Sequence, residues 1–299
     1  SSSTWGQARL SHRNSSTPDT NYSYLYERGG ATVYIIDTGV RISHAEFTTT
    51  SPLIPASRAA AASPSSARVS LGGNFVTGST NASDQMGHGT HVAGTIGGLT
   101  RGISPSSRLV SLKVFGGDDE PGSWDYMLAA LQYAVDDAVA RNATGLSVVN
   151  ISAGGDRWDP IDEAVTSAVA RGVAVVVAAG NDGRSADGAS PARCPDAITV
   201  GAIDAADRRP DFSNWGPGLA VFAPGVDVES ADYRGDGGVW KLSGTSMSAP
   251  HVTGLVAYFM ELYGWHTPEE MRKRIVGLAT RGLVVDAGEG SPNLIAFNG

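Results

Sequence analysis

A serine that attacks a carbonyl needs three things near it. It needs a base to take its proton, a group to orient that base, and N–H donors for the oxyanion that forms. The stretch Ser243-Gly244-Thr245-Ser246-Met247-Ser248-Ala249-Pro250-His251 offers such a serine. An apolar helical pattern follows from Val252 to Tyr263, and Gly244 allows a tight turn at the helix entry. Ser246 is thereby predicted at a helix N-terminus, with its hydroxyl exposed and free backbone N–H groups beside it. A hydroxyl residue in such a place is more often a cap than a nucleophile. The reading therefore depends on partners elsewhere in the chain.

Asp37 is the first. It ends the run Ala31-Thr32-Val33-Tyr34-Ile35-Ile36-Asp37, which fits a strand buried on both faces. Ligands of open α/β sheets gather beyond the carboxyl ends of such strands, although a carboxylate there often serves only as a turn or cap residue. His88 and His91 lie in the segment "HGTH". A zinc pair is one reading of them, but further ligands are missing nearby and the next turn carries Gly and Ala. One histidine is enough for a general base. A helix N-terminus disfavours the imidazolium, and a buried carboxylate such as Asp37 would counter this and fix the tautomer. His88 is read as the base and His91 as a structural histidine.

Asn181 closes the segment Ala178-Ala179-Gly180-Asn181. Its amide could aim an N–H at an oxyanion without carrying charge; an Asn/Gly turn is the competing reading. Ser152-Ala153-Gly154-Gly155 ends another strand, and its small residues leave a backbone edge that an extended peptide could join.

These residues need a scaffold with several strand ends close together. Short apolar strands are expected at Leu109–Phe115, Leu146–Ile151, Val173–Ala179, Ala197–Ile203, Leu219–Phe222 and Val239–Leu242. A Gly-rich buried helix is expected after His88. Others are expected at about Ser123–Arg141, with Leu128, Leu131, Val135 and Val139 on one face, at Pro160–Arg171, and after a Thr267 cap with Pro268 at its first position. Strands alternating with helices predict an α/β fold, a mainly parallel β-sheet flanked by helices on both faces. No linker, repeat or composition break divides the chain, so one domain over 1–299 is expected. Residues 1–30 read as irregular but packed on the body, and 48–67 as a Ser/Ala/Pro-rich surface loop.

The 299 residues suffice for one large domain with a real core, and a net charge of −8 without a basic run leaves no footprint for nucleic acid. No apolar run reaches membrane-spanning length. Ser1 is not a natural start, so the chain reads as a processed mature form. Cys194 is the one cysteine, which rules out an internal disulfide. Asn-x-Ser/Thr triplets occur at Asn14, Asn21, Asn81, Asn142 and Asn150; the last lies in an apolar run and is expected to be buried.

The blocks "IIDTGV", "GHGTHVAG", "AAGN" and "GTSMSAPH" resemble the four signatures of the subtilisin-like serine proteases, in the chain order Asp, His, Ser found in that family. "WGQARLS", "FSNWGPG" and "PNLIAFN" resemble its proteinase K branch, so the likeness covers nearly the whole chain. It implies a secreted endopeptidase of subtilisin-like fold, made with a signal and an inhibitory propeptide since removed; a monomer is the default expectation. It implies Asp37, His88 and Ser246 as the triad, with the Asn181 side chain and the Ser246 N–H as oxyanion donors. Ser152, Ala153 and Gly154 would line one side of the substrate cleft, and Ala178, Ala179 and Gly180 the floor of the first pocket. Glu120, Pro121 and Gly122 would form the opposite edge, with Trp124 near a more distant subsite. No cofactor enters the chemistry. A structural calcium is implied on the carbonyls of Pro195 and Ala197, although Ala220 stands where relatives carry a carboxylate ligand. Cys194 matches no usual family cysteine and reads as a free thiol. A non-catalytic peptide-binding homologue and an esterase are the alternatives; the intact set of four chemical positions argues against the first, and the order of the blocks against the second.

Overall fold

A computed structural model describes residues 3–14, 21–25, 29–48, 68–117 and 122–299. Residues 49–67, and with them nearly all of the expected surface loop, lie outside these. The N-terminal stretch expected to be irregular contains a helix, α1 (Trp5–Ser11). Thr4 and Gln7 close a capping box at its start, a Thr-x-x-Gln signal that composition alone hides. Arg9 of this helix and Asp207 form a buried ion pair at 2.6 Å that ties the N-terminus to the distant part of the chain.

The apolar run that ends in Asp37 forms β1 (Thr32–Asp37), buried along its whole length. There follow β2 (Val69–Asn74), α2 (His88–Gly97), β3 (Arg108–Lys113), α3 (Trp124–Ala140), β4 (Ser147–Ile151), the short β5 (Gly155–Asp156), α4 (Asp159–Ala170) and β6 (Ala174–Ala178). Then come β7 (Ala189–Ser190), β8 (Ile198–Ile203), β9 (Val221–Pro224), β10 (Val228–Ala231), β11 (Val239–Leu242), α5 (Thr245–Tyr263), α6 (Pro268–Leu278), β12 (Thr280–Arg281) and β13 (Leu294–Ile295). Nine strands make one sheet in the order β12-β13-β9-β8-β6-β4-β1-β3-β2. Its neighbours run parallel, apart from the antiparallel pair β12–β13. The fold is α/β in a single domain, as expected.

Alternate residues of a strand face opposite sides, and the core divides accordingly. Val33 and Ile35 of β1 pack with α2 and α5, whereas Tyr34 and Ile36 pack with α3 and α4. β1 lies between β3 and β4, so the chain leaves it to one side and later crosses to the other. That reversal opens a crevice beyond its carboxyl end, and Asp37 stands there.

Three local expectations need correction. The buried stripe of α3 is Met127, Ala130, Leu131, Ala134, Val135 and Ala138, while Val139 is exposed. Alanines fill the contact with the sheet, so a pattern read from the largest apolar side chains is rotated. The strand expected at Leu219–Phe222 starts two residues later, at Val221. β11 is a strand as expected, but it pairs antiparallel with β10, outside the main sheet. Asn150 is fully buried, as its apolar surroundings imply, and so is unsuited to carry a glycan. Cys194 is a buried free thiol.

Candidate active site

β1 delivers Asp37 to the carboxyl edge of the sheet, where its side chain is buried. Asp37 Oδ1 accepts from the Thr38 N–H (2.7 Å) and stands 2.7 Å from His88 Nδ1. A carboxylate only accepts, so Nδ1 carries the proton and Nε2 is left as the basic nitrogen. His88 is the first residue of α2, and Gly89 lets that helix come so close. A Cβ on Gly89 would lie 2.2 Å from the Gly39 carbonyl oxygen and 3.1 Å from Asp37 Cβ. Burial alone would lower the His88 pKa. The charge and hydrogen bond of Asp37, helped by the charge of Asp84, outweigh it and hold the pKa above the ordinary histidine value.

His91 faces elsewhere. Its Nε2 lies 2.9 Å from the Val228 carbonyl and 3.2 Å from that of Trp240, which makes it a donor and pins the β10–β11 hairpin to α2. Burial brings its pKa down to about 4. The two histidines of the motif thus have separate partners, and His91 is structural, with its Nδ1 left unpaired.

Ser246 is the second residue of α5. The helix-starting Thr245 N–H is capped by Asn181 Oδ1 (2.8 Å), and the Thr245 hydroxyl donates to the same oxygen (2.9 Å) while accepting from the Gly180 N–H (3.1 Å). These bonds settle which end of the amide is which: the oxygen is engaged, so Nδ2 is the free end. The next N–H of the helix belongs to Ser246. Gly244 precedes it with φ +154, and a Cβ there would lie 3.4 Å from Asn181 Nδ2 and 3.7 Å from Ser246 N. Both donors therefore border the space that the missing side chain leaves, an arrangement able to hold one oxyanion.

A second device holds Ser246 in place. Pro250 has no N–H for the Ser246 carbonyl four residues back. The Ser152 hydroxyl donates to that carbonyl instead (3.0 Å), and Ser246 Oγ donates in return to the Ser152 carbonyl (3.0 Å). Behind them, Asn150 Nδ2 donates to Ser152 Oγ (2.9 Å) and Thr253 Oγ1 donates to Asn150 Oδ1 (2.8 Å). The Asp37–His88 bond is thus formed, while the Ser246 hydroxyl is turned to Ser152. Among the described residues no hydrogen bond joins it to His88.

Beside Ser246 a cleft of about 460 Å³ opens between the ends of β4 and β6. Ala153, Gly154, Ala178, Ala179, Gly180, Asn181 and Ser246, all singled out in the sequence, line it together. Ser152 sits behind them against Ser246. The floor is small and apolar, but the lining also includes Asp156, Asp182 and Arg184, with Arg184 paired to Asp156 (3.0 Å) and Asp182 (3.4 Å) on the exposed rim. Sequence reasoning missed these three, Thr245, and Ala189, Ser190 and Ala192, which also line the cleft. The antiparallel β5–β7 pair folds the Asp156 segment against the loop after β6, and no local pattern announces that. Trp124 stands outside this cleft, stacked on Trp158 with ring centroids 5.3 Å apart, and Gly122 packs on Phe115. Glu120 and Pro121 lie outside the described residues.

The Pro195 carbonyl accepts a hydrogen bond from the Arg272 guanidinium of α6. Ala220 is buried and offers no side-chain oxygen. A guanidinium against one of the two carbonyls and no side-chain oxygen at Ala220 make a poor fit to a calcium ion there.

Residues 28–294 match a family described as the Subtilase family, which is most of the chain. The chain belongs to the subtilases. It is 42% identical to Subtilisin-like protease 3 of Pseudogymnoascus destructans, over 98% of this chain and 69% of that protein. It is 41% identical to a cuticle-degrading serine protease of Arthrobotrys oligospora, over 99% and 68% of the two chains. It is 40% identical to Alkaline protease 1 of Aspergillus clavatus, over 99% and 67%. Among solved structures, that of a cold adapted subtilisin-like serine proteinase superposes with a TM-score of 0.86 at 36% identity, covering 100% of this chain and 99% of the other. This subtilase is thus a serine protease with the fold that its sequence blocks imply.

Proposed function

We infer that this subtilase is a secreted endopeptidase that cleaves peptide bonds through an acyl-enzyme on Ser246. The observation that carries the reading is the Asp37 carboxylate bonded to His88 Nδ1, which leaves Nε2 free, on the same edge of the sheet as a helix-start serine and an amide donor. Substrate binding turns Ser246 Oγ from the Ser152 carbonyl to His88 Nε2, a rotation about χ1. Such bonds are commonly unmade in substrate-free sites. His88 then takes the proton as Oγ attacks. Asp37 stabilises the imidazolium, and Asn181 Nδ2 with the Ser246 N–H holds the oxyanion. His88 protonates the leaving amine, and water repeats the cycle on the acyl-enzyme.

The substrate lies as an extended strand against residues 152–154. Gly154, Ala178, Ala179 and Gly180 carry no charge, which favours apolar or aromatic residues before the scissile bond. The paired charges on the rim are solvent-exposed and add little to this. No helix among the described residues is long and apolar enough to cross a membrane. Secretion, inhibition by the enzyme's own propeptide before maturation, and a monomeric state complete the proposal. It is tested by labelling Ser246 with an organophosphonate and by profiling cleavage of a mixed peptide library. Labelling with cuts after Phe, Tyr, Leu or Met is expected. Absence of labelling, or cuts dominated by Arg and Lys, would overturn it.

A further inference from the structure

The helix that carries His88 starts without a cap of its own. Its N-cap position is Gly87, which has no side chain, and His88 has its Nδ1 committed to Asp37. Side chains from outside the helix take the free N–H groups. Thr38 Oγ1 accepts from Gly89 N–H (2.8 Å). Asp84 Oδ2 accepts from the N–H (2.9 Å) and hydroxyl (2.6 Å) of Thr90. Asp84 Oδ1 accepts from Met86 N–H (2.9 Å), Gly87 N–H (2.8 Å) and the Thr38 hydroxyl (2.9 Å). Five donors converge on one carboxylate. Thr38, one of them, directly follows Asp37, and Thr90 accepts from Arg41 N–H (3.0 Å) farther along the same loop. Asp84 therefore clamps the start of α2 to the exit of β1, which is the joint across which Asp37 and His88 meet. A carboxylate, which only accepts, suits five donors; an amide would turn its own N–H₂ against some of them.

We propose that Asp84 is a positioning residue for the hydrolytic reaction: it sets the Asp37–His88 geometry through Thr38 and α2, and its negative charge favours the imidazolium that forms as His88 takes the serine proton. The proposal rests on the reading of Asp37, His88 and Ser246 given above. The helix N-terminus itself opposes an imidazolium at its first residue, so a second carboxylate there has an electrostatic task as well as a geometric one. It acts on His88 in the direction that raises its pKa. The other charged groups around α2 have partners of their own. Lys113 of β3 donates to the Thr38 carbonyl (2.6 Å). Glu46 is bound to Thr100 and Arg101 at the far end of the helix. Glu229 of β10 pairs with Lys241, and Asp232 with Arg234. His91 and, on α5, His251 are buried with their pKa values lowered to about 4.

The test uses two substitutions and two readouts. The first readout is the NMR titration of His88 in a Ser246→Ala background, which needs no turnover. Asp84→Asn is expected to lower that midpoint by about 0.5–1 pH unit. In the active enzyme it is expected to lower kcat/KM roughly 10- to 100-fold, chiefly through kcat. Thr38→Val, which keeps the charge and loosens the clamp, is expected to lower kcat/KM about 10-fold and to lower the His88 midpoint by less than Asp84→Asn does, since only the Asp37–His88 contact is disturbed. A purely structural Asp84 would lower thermal stability without moving the titration. An unmoved His88 midpoint in Asp84→Asn, or kcat/KM kept within about two-fold in either variant, would overturn the proposal. Should Asp84→Asn fail to fold, Thr38→Val decides alone. Failure of the underlying reading registers separately, as a wild-type protein that organophosphonate does not label.

Discussion

His88 has to be neutral at Nε2 to accept a proton, yet its surroundings favour the charged ring. A raised pKa moves the acid limb of activity upward. A profile of kcat/KM from pH 5 to 9 is therefore expected to fall below a midpoint higher than the ordinary value of about 6.5. A flat profile would contradict it. Ser246→Ala is expected to lower kcat on the order of 10⁶-fold, and Asn181→Leu roughly 10²–10³-fold, both read with a chromogenic peptide. Those sizes belong to the corresponding substitutions in subtilisin and are carried to this chain by analogy. The four residues proposed for the chemistry stand out in the sequence because each calls for one residue type at one kind of strand or helix end. The direction of the Ser246 hydroxyl could not, since it depends on Ser152, a residue 94 positions away.

Between elements, the polar chain Thr253–Asn150–Ser152–Ser246 joins α5 to the end of β4 through the sheet face. Asn150→Ala removes one bond from each of two hydroxyls: Thr253 Oγ1 keeps the Ala249 carbonyl (3.0 Å) and Ser152 Oγ keeps the Ser246 carbonyl (3.0 Å). A loss of roughly 1–3 kcal/mol in urea unfolding, measured in the Ser246→Ala background to suppress autolysis, is expected. A change under about 0.5 kcal/mol would show the network to be inessential. Most elements could be foreseen within a residue or two, because long apolar runs and helical periods are local signals. The exceptions have local causes too. α1 is short and polar outside its capping box, and α3 packs alanines on the sheet where larger side chains were expected to mark the face. β5 and β7, two residues each, are too short for a pattern, β2 carries Gly72 and Gly73 where apolar residues would mark a strand, and β10 exists because β11 folds against it.

For the molecule as a whole, His91 and His251 sit neutral in the interior with pKa values of about 4. Unfolded, each would titrate near the ordinary value. Between about 6.5 and about 4 the unfolded chain binds the additional protons, so stability falls as pH falls through that window. At its lower end the loss is on the order of 3 kcal/mol for each ring, to be read from urea midpoints at neutral and acid pH. A midpoint independent of pH over this range would contradict the burial argument. At the carbonyl that the sequence offered to a calcium ion, Arg272 reaches Pro195 from α6 and supplies a tethered positive charge. Adding EDTA is accordingly expected to shift Tm by less than about 2 °C. A large chelator effect would return the cation to this site.

The sequence by itself determined the α/β class, the family, and which residues are proposed for the chemistry, since these are written in hydrophobic period and in short blocks of fixed composition. Only the tertiary structure decided how those residues are held. The clamp of Asp84 on Thr38 and α2, the orientation of the Asn181 amide and the charged rim of the cleft are all contacts between segments far apart in the chain. Each depends on where several strand ends come to lie together, and no local signal encodes that distance.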